Sequence, residues 1–312
     1  MLRPFPISGV YAMWFRNLRL YRLPTDWDID AAQLEKALSA LPLARCGGLD
    51  MISRGWIFGR DEGEFVHVVN KHWLLALGVE QKLLPTSVVR QEAQERAARI
   101  EDEQGRKVGR KELRDLRDRV TEELLPRAFS RRRTTWCWID PAGGWLAIDA
   151  GSDARADEFL EVLQKSLAGI ALRALQTQVS PASAMTGWLA DADAPAGFSI
   201  DQDLELRAAA EGQAAIRYVR HALEGEEIRA HIASGKIATK LAMTWNDRVS
   251  FVLTDKLQIK RLAFLDILRE QAEQDAATAD EQFDVDFALM SGELTRLLAD
   301  LVVALGGELK PV

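Results

Sequence analysis

Two groups of cations carry the chemistry that can be read from this sequence. In LLPRAFSRRR (Leu124–Arg133), Pro126 cannot continue a helix, which leaves Arg127, Phe129 and Arg131 on an irregular connection with Arg132 beside them. Guanidinium groups there can fork onto phosphate oxygens, and an exposed phenyl ring can stack on or wedge beside bases. The other reading keeps Phe129 in the core and the arginines merely solvated, and the residues alone do not choose between the two. The second group lies in KIATKLAMTWNDRVSFVLTDKLQIKRL. Strict alternation places Ile237, Leu241, Met243 and Trp245 on one face of a strand, with Lys236, Lys240 and Ala242 on the other. The strands that follow add Arg248, Lys256 and Lys260. A sheet with one apolar and one lysine-lined face results, a pattern that an ordinary solvated antiparallel sheet also shows.

Acidic residues offer a rival chemistry, because carboxylates that converge on a divalent metal can cleave phosphodiesters. Asp140, Asp149, Asp284 and Asp286 are the candidates for such a metal-dependent nuclease, against the commoner role of acids as surface groups or helix caps. His67, His72, His221 and His231 show no metal-ligand spacing. Phosphate loops of the GxxxxGKS or GxxxxGKT type, GxSxG elbows, HExxH helices and GxGxxG turns are all missing from the sequence. The expectation is a protein without catalytic residues, metal or cofactor. Cys46 and Cys137 are too few for a disulfide framework and form no CxxC pair, so both are expected as buried thiols.

The 312-residue chain carries a net charge of −7, which argues at first against a polyanionic partner. Its distribution argues otherwise. Residues 106–133 hold eleven basic side chains against five acidic ones, and residues 266–310 hold eleven acids against three bases. That asymmetry suggests one basic and one acidic face. A hydrophobic content of 47% with 28% charged residues is that of a folding chain. There is no apolar run of membrane-spanning length and no signal-peptide pattern at the start, so a cytoplasmic protein with no membrane partner is expected.

The elements that must position these groups follow from periodicity and punctuation. A strand is expected within Trp14–Leu23, then a helix capped by Asp28 or Asp30 and running to about Leu41. Strands follow near Gly55–Phe58, Phe65–Asn70 and Trp73–Leu77. Ser87–Leu125 lacks proline and is dense in Glu, Arg, Ala and Leu, which predicts a helical hairpin broken near Gly105 or Gly109. TTWCWID, PAGG and WLAIDA read as a β-hairpin, with helices near Ala154–Leu167 and Pro181–Ala190 after it. After a loop with Pro195 and Gly197, strands are expected at Ala215–Arg220, Ile237–Trp245, Val249–Thr254 and Leu257–Leu262, and a helix at Glu226–Ala233. Helices near Ala263–Ala276 and Phe283–Leu305 close the chain. The last has an apolar stripe of Phe287, Met290, Leu294, Leu297, Leu298 and Leu301, fit for a core or an interface. Without a regular βαβ rhythm the class is α+β. No RNP-like strand, zinc-finger spacing or helix-turn-helix pattern marks a base reader, so any DNA binding should be mainly to phosphates.

Several strings in this order resemble the bacterial RdgC family: MWFRNLRLYRL, LLPRAFSR followed by WCWID, KIATKLAMTW, KRLAFLDILREQ and FDVDFALMSGELTRLLADLVVALGGE. The resemblance runs from about Met13 to Glu308. It makes residues 13–312 one α+β unit, with a basic helical segment at 87–133, and leaves residues 1–12 as an N-terminal extension, expected to be flexible. It implies an elongated protomer of a ring-shaped homodimer whose basic inner surface passes double-stranded DNA. It also implies little sequence preference, association with the nucleoid and restraint of RecA-driven strand exchange by occupying the DNA. Arg127 and Phe129 match the family's LLPRAFSR string and are carried over as contacts to DNA or at the dimer's gate. The region around Arg217 and Arg220 matches less closely.

Overall fold

Asp30 shows how local chemistry starts an element. Its carboxylate accepts from the Gln33 backbone N–H at 2.7 Å while the Gln33 side chain accepts from the Asp30 N–H at 2.9 Å, a reciprocal cap that opens the first helix. The computed structural model describes residues 13–60, 63–208, 214–223, 225–275 and 278–309. Residues 1–12, the expected extension, lie outside them.

The order is β1 (Arg19–Arg22), α1 (Ala31–Leu38), β2 (Ile52–Ile57), β3 (Val66–Val69), β4 (His72–Lys82), α2 (Thr86–Gln104), α3 (Arg110–Leu124), a 3-10 turn (Leu125–Arg127), β5 (Ser130–Asp140), β6 (Trp145–Ile148), α4 (Asp153–Ser166), β7 (Arg173–Ala174), α5 (Pro181–Asp191), β8 (Phe198–Ala208), β9 (Ala215–Tyr218), α6 (Glu226–Ala233), β10 (Lys236–Trp245), β11 (Val249–Thr254), β12 (Ile259–Phe264), α7 (Asp266–Asp275) and α8 (Ala279–Ala304). The class is α+β. One antiparallel sheet runs β2-β4-β5-β6-β1-β7 with β3 also on β4, and a second runs β12-β11-β10-β8-β9. The chain just before β1 ties them together: Leu18 and Ile259 exchange backbone hydrogen bonds of 2.8 and 3.2 Å, and Leu262 N–H donates to the Arg16 carbonyl at 2.9 Å.

Alternation along the first sheet sends side chains to two cores. Leu75, Leu77, Cys137, Ile139 and Ile148 pack with Leu34 and Leu38 of α1 and Phe159 and Leu163 of α4. Leu20, Leu74, Trp138 and Ala147 join a larger core with Leu204, Leu206, Leu241 and Met243 of the second sheet and with α8. All six residues of the α8 stripe are buried within this core, so that stripe serves the protomer itself. α2 and α3 form the expected hairpin, with Gly105 in the left-handed region at φ 63° ending α2 and Gly109 opening α3. Its small core contains only its own side chains, with Ala93, Ala97, Leu116 and Val120 at the centre.

Three differences from the sequence-based expectations have physical causes. β8 was not expected: Pro195 and Gly197 mark the loop before it, and its outward residues Asp203, Glu205 and Arg207 are charged. β5 begins at Ser130 and not after the arginines, because Gln81 and Glu80 of β4 pair with Arg131 and Arg132 in register. Cys137 is buried, but Cys46 is only half-buried, on the connection from α1 to β2.

The central position of α8 yields a prediction. Leu294→Ala removes a fully buried side chain and should lower unfolding stability by about 2–5 kcal/mol in a urea titration. A loss under 1 kcal/mol would show that α8 does not hold the core.

Candidate nucleic-acid interface

β8 reads FSIDQDLELRA, in which Leu204 and Leu206 turn into the core while Asp203, Glu205 and Arg207 turn to the opposite face. The sheet register places Glu205 directly between Lys240 of β10 and Arg217 of β9. Lys240 Nζ donates to Glu205 Oε2 at 2.9 Å and Arg217 Nη2 to the same oxygen at 2.7 Å. Arg207 Nε and Thr239 Oγ1 donate to Oε1 at 3.0 and 3.1 Å. Glu205 is only 2% exposed. Burial by itself pushes its carboxyl up, but the hydrogen bonds from Lys240, Arg217, Thr239 and Arg207 outweigh burial and hold it down at about 2. One fixed anion therefore gathers three cations whose outer surfaces stay in solvent. A cavity of about 290 Å³ opens beside them, lined by Arg217, Lys240, Lys260 and Arg261 as cations and by Glu205 and Asp203 as anions. Arg261 is the only one of these cations paired with Asp203 among the described residues, at 3.0 Å.

Not all the cations singled out from the sequence share this face. The alternation of β10 breaks at a bulge between Ala238 and Lys240. Ile237, expected inside with Leu241, is 39% exposed on the Lys240 side. Lys236 turns the other way, and its Nζ meets Ser234 Oγ at 2.9 Å and His231 Nδ1 at 3.4 Å. Arg248 reaches into the protein, where its Nη2 donates to buried Glu293 at 2.7 Å. Arg220 lies two residues past the end of β9 with φ 52°, its backbone N–H donating to Asp203 at 3.0 Å and its side chain exposed. Arg217, Lys240 and Lys260 are thus brought together with Arg220 close by in sequence, while Lys236 and Arg248 are held elsewhere. Arg207 and Glu205 were missed with β8, and Arg261 was not singled out although its strand, β12, was expected. The Asp203, Glu205, Arg207 spacing of two is the signal that a strand with a polar face would have offered.

A second exposed group lies at the end of the first sheet. The 3-10 turn carries Arg127, and the Phe129 carbonyl accepts from Leu83 N–H at 2.7 Å while its ring is 86% exposed. The core reading of Phe129 is thereby excluded. Arg131 is exposed in the first residues of β5, whereas Arg132 is bound to buried Glu80 at 2.6 Å. Arg127 and Arg131 make no ion pair among the described residues.

The four aspartates of the nuclease reading do not converge. Asp140 accepts from Gly143 N–H at 2.9 Å and closes the β5–β6 turn. Asp149 accepts from Asn17 N–H at 2.8 Å, and its burial pushes its pKa up. Asp284 faces His67 at 2.7 Å and Arg60 at 3.3 Å, and Asp286 accepts from Gln282 at 2.8 Å. Among the described residues no three His, Cys, Asp or Glu side chains are grouped to hold a metal ion, and no helix is long and apolar enough to cross a membrane.

A sequence profile described as "Putative exonuclease, RdgC" matches residues 13–308. The "Recombination-associated protein RdgC" of Dechloromonas aromatica is 58% identical over 299 residues, covering 95% of this chain and 98% of that protein. Proteins of the same description from a Janthinobacterium species and from Herminiimonas arsenicoxydans are 52% and 53% identical, over 96% and 95% of this chain and 99% of each relative.

The depressed Glu205 carboxyl makes stability depend on pH in a known direction. A group whose pKa is lower folded than unfolded stabilises the fold above its unfolded value and loses that contribution as pH falls towards its folded value. Acid titration of the parent should show this loss between about pH 4.5 and pH 2, and Glu205→Gln should flatten that limb. An unchanged limb in the variant would show that Glu205 is not the group responsible.

Proposed function

The chain belongs to the RdgC family, and on that premise we propose that it binds duplex DNA without sequence preference by tracking phosphates. The observation that carries the reading is the open face of the second sheet, where Arg217 and Lys240 flank one buried carboxylate beside Lys260 and Arg261. These cations sit on a rigid sheet, and ammonium and guanidinium groups held in this way suit the repeating anions of a nucleic-acid backbone. Arg127, Arg131 and the exposed ring of Phe129 supply a second contact, the ring stacking on or wedging at bases. The negative net charge is compatible with this, because a local basic surface sets the potential that DNA meets.

The protein acts without catalysis, as a homodimer closed into a ring around DNA, and limits RecA-driven strand exchange by occupying the duplex. The names of the relatives point to recombination, and the aspartates, each tied to its own local partners, give no support to a nuclease. Because the α8 stripe is spent in the core, self-association falls to other surfaces. Size-exclusion chromatography with light scattering should give twice the protomer mass at micromolar concentration, and a monomer would remove the ring.

Binding to two unrelated duplexes of equal length should be alike, with log affinity falling linearly with log salt at about 0.9 per phosphate neutralised. Lys240→Ala should weaken both duplexes and reduce the slope by about one. Phe129→Ala and Arg127→Ala should weaken binding with an unchanged melting temperature, since neither side chain is packed in the core. A flat salt response or strong preference for one duplex would refute phosphate tracking. Magnesium- or manganese-dependent cleavage of labelled duplex, lost on Asp284→Ala, would refute the non-catalytic reading.

A further inference from the structure

We infer that Glu205 is a positioning residue that holds Arg217 and Lys240 at the spacing which seats one backbone phosphate of duplex DNA in the adjoining cavity; the inference rests on the DNA-binding reading above. Glu205 itself is almost fully buried, yet its carboxylate lies in the cavity wall and would repel a polyanion seated there. Its presence in the middle of a basic face therefore needs a reason. The register supplies one: Lys240, Glu205 and Arg217 form a single cross-strand row, so one carboxylate oxygen receives Lys240 from one side and Arg217 from the other.

Each cation spends one donor on that oxygen and keeps the rest. Lysine has three N–H donors and arginine five, so both retain several for a ligand. Arg217 combines a 2.7 Å tether to an atom of a side chain that is 3% exposed with a side chain that is itself 67% exposed. The tether runs inward and the remainder of the guanidinium faces out beside the cavity. Unrestrained, these long side chains would sample many rotamers, and binding would have to order them. Glu205 orders them before the ligand arrives, which is the usual origin of a preorganised anion seat. Around the cavity four cations still outnumber two anions, so the seat keeps a net positive charge.

Charge and positioning predict opposite signs for one substitution. Glu205→Gln removes a negative charge beneath a polyanion and by electrostatics alone tightens binding. If Glu205 positions its neighbours, the same change weakens binding to a labelled duplex by about tenfold at moderate salt. Glu205→Asp keeps the charge but is one methylene shorter, and it should weaken binding by a smaller factor. In a background with both Lys240→Met and Arg217→Met, Glu205→Gln should cause no further loss, because its effect is exerted through those two side chains. Fluorescence anisotropy on the full chain reads all of these, with circular dichroism to check folding. Equal or tighter binding by Glu205→Gln overturns the inference, as does a loss that persists undiminished in the double background. If Glu205→Gln does not fold, Glu205→Asp decides: affinity equal to the parent overturns the inference, and a reproducible loss supports it. A parent that shows no salt-dependent duplex binding removes the DNA-binding reading and this inference together, whereas a parent that binds with an unaltered Glu205→Gln removes the inference alone.

Discussion

A carboxylate withdrawn from water must be matched by cations and hydrogen bonds, and several buried glutamates impose that constraint on this protein. Glu205 gathers Arg207, Arg217 and Lys240; Glu293 takes Arg248 and Arg296; Glu80 takes Arg132; Glu158 takes Arg54 and Arg133. Arg248 and Arg132 each bind one buried glutamate through Nε and Nη2, while their side chains stay 35% and 41% exposed. Arg217 and Lys240 are bound as well, but to an anion that lies beneath an open sheet face. The same rule therefore anchors one end of each of these cations on a buried anion and leaves part of its side chain at the surface.

The acidic C-terminal segment obeys the rule from the other side. Its charges look like an acidic surface when counted along the chain, yet Asp286 and Glu293 are buried, Asp284 faces His67 and Arg60, and Asp300 accepts from the Trp245 indole at 2.8 Å. α8 is thus apolar along one stripe and polar along another, and both stripes meet protein. The helix ties the two sheets: Thr295 reaches Asp140 at the end of β5, while Asp300 and Glu293 reach Trp245 and Arg248 of the second sheet. Buried leucines supply most of the stabilisation, at about 1.5–3 kcal/mol each, and the polar contacts restrict the helix to one register.

The basic stretch at 106–133 is likewise divided by tertiary contacts. Arg96 of α2 binds Glu123 of α3, and Arg106 binds Glu112, so part of the hairpin's charge is neutralised between its own arms. Such exposed pairs contribute little to stability, on the order of 0–1 kcal/mol each. Their effect is on the potential that a partner meets. Outward at this end of the molecule remain the exposed hairpin cations Lys107, Arg110, Lys111, Arg114, Arg117 and Arg119 together with Arg127 and Arg131, the last two beside the exposed ring of Phe129.

Local rules were enough for most elements of this chain. Asp30, Gly105, Gly109 and Pro126 act on the few residues around them, so helix ends and the hairpin break could be read from their order alone, and the α8 stripe at helical spacing implied burial on one side. The family could also be read, because its strings recur over nearly the whole length. The apolar alternation of β10 was legible in part, but the bulge at Ala238–Lys240 was not, since a bulge is decided by how β8 pairs with β10 and leaves no local mark in KIATKL. β8 was missed for a related reason: Asp203, Glu205 and Arg207 carry the polar character of a loop, and only the cations of β9 and β10 on either side make a charged strand stable there. Whether Phe129 was core or surface could not be settled by its hydrophobicity, because burial depends on what the first sheet places opposite it. The sequence thus determined where the chain starts and stops its helices and which family it belongs to. Which cations stay available to a partner was decided by the tertiary structure, because a charge is neutralised by whichever residue lies within a few ångströms in space, however far away it is along the chain.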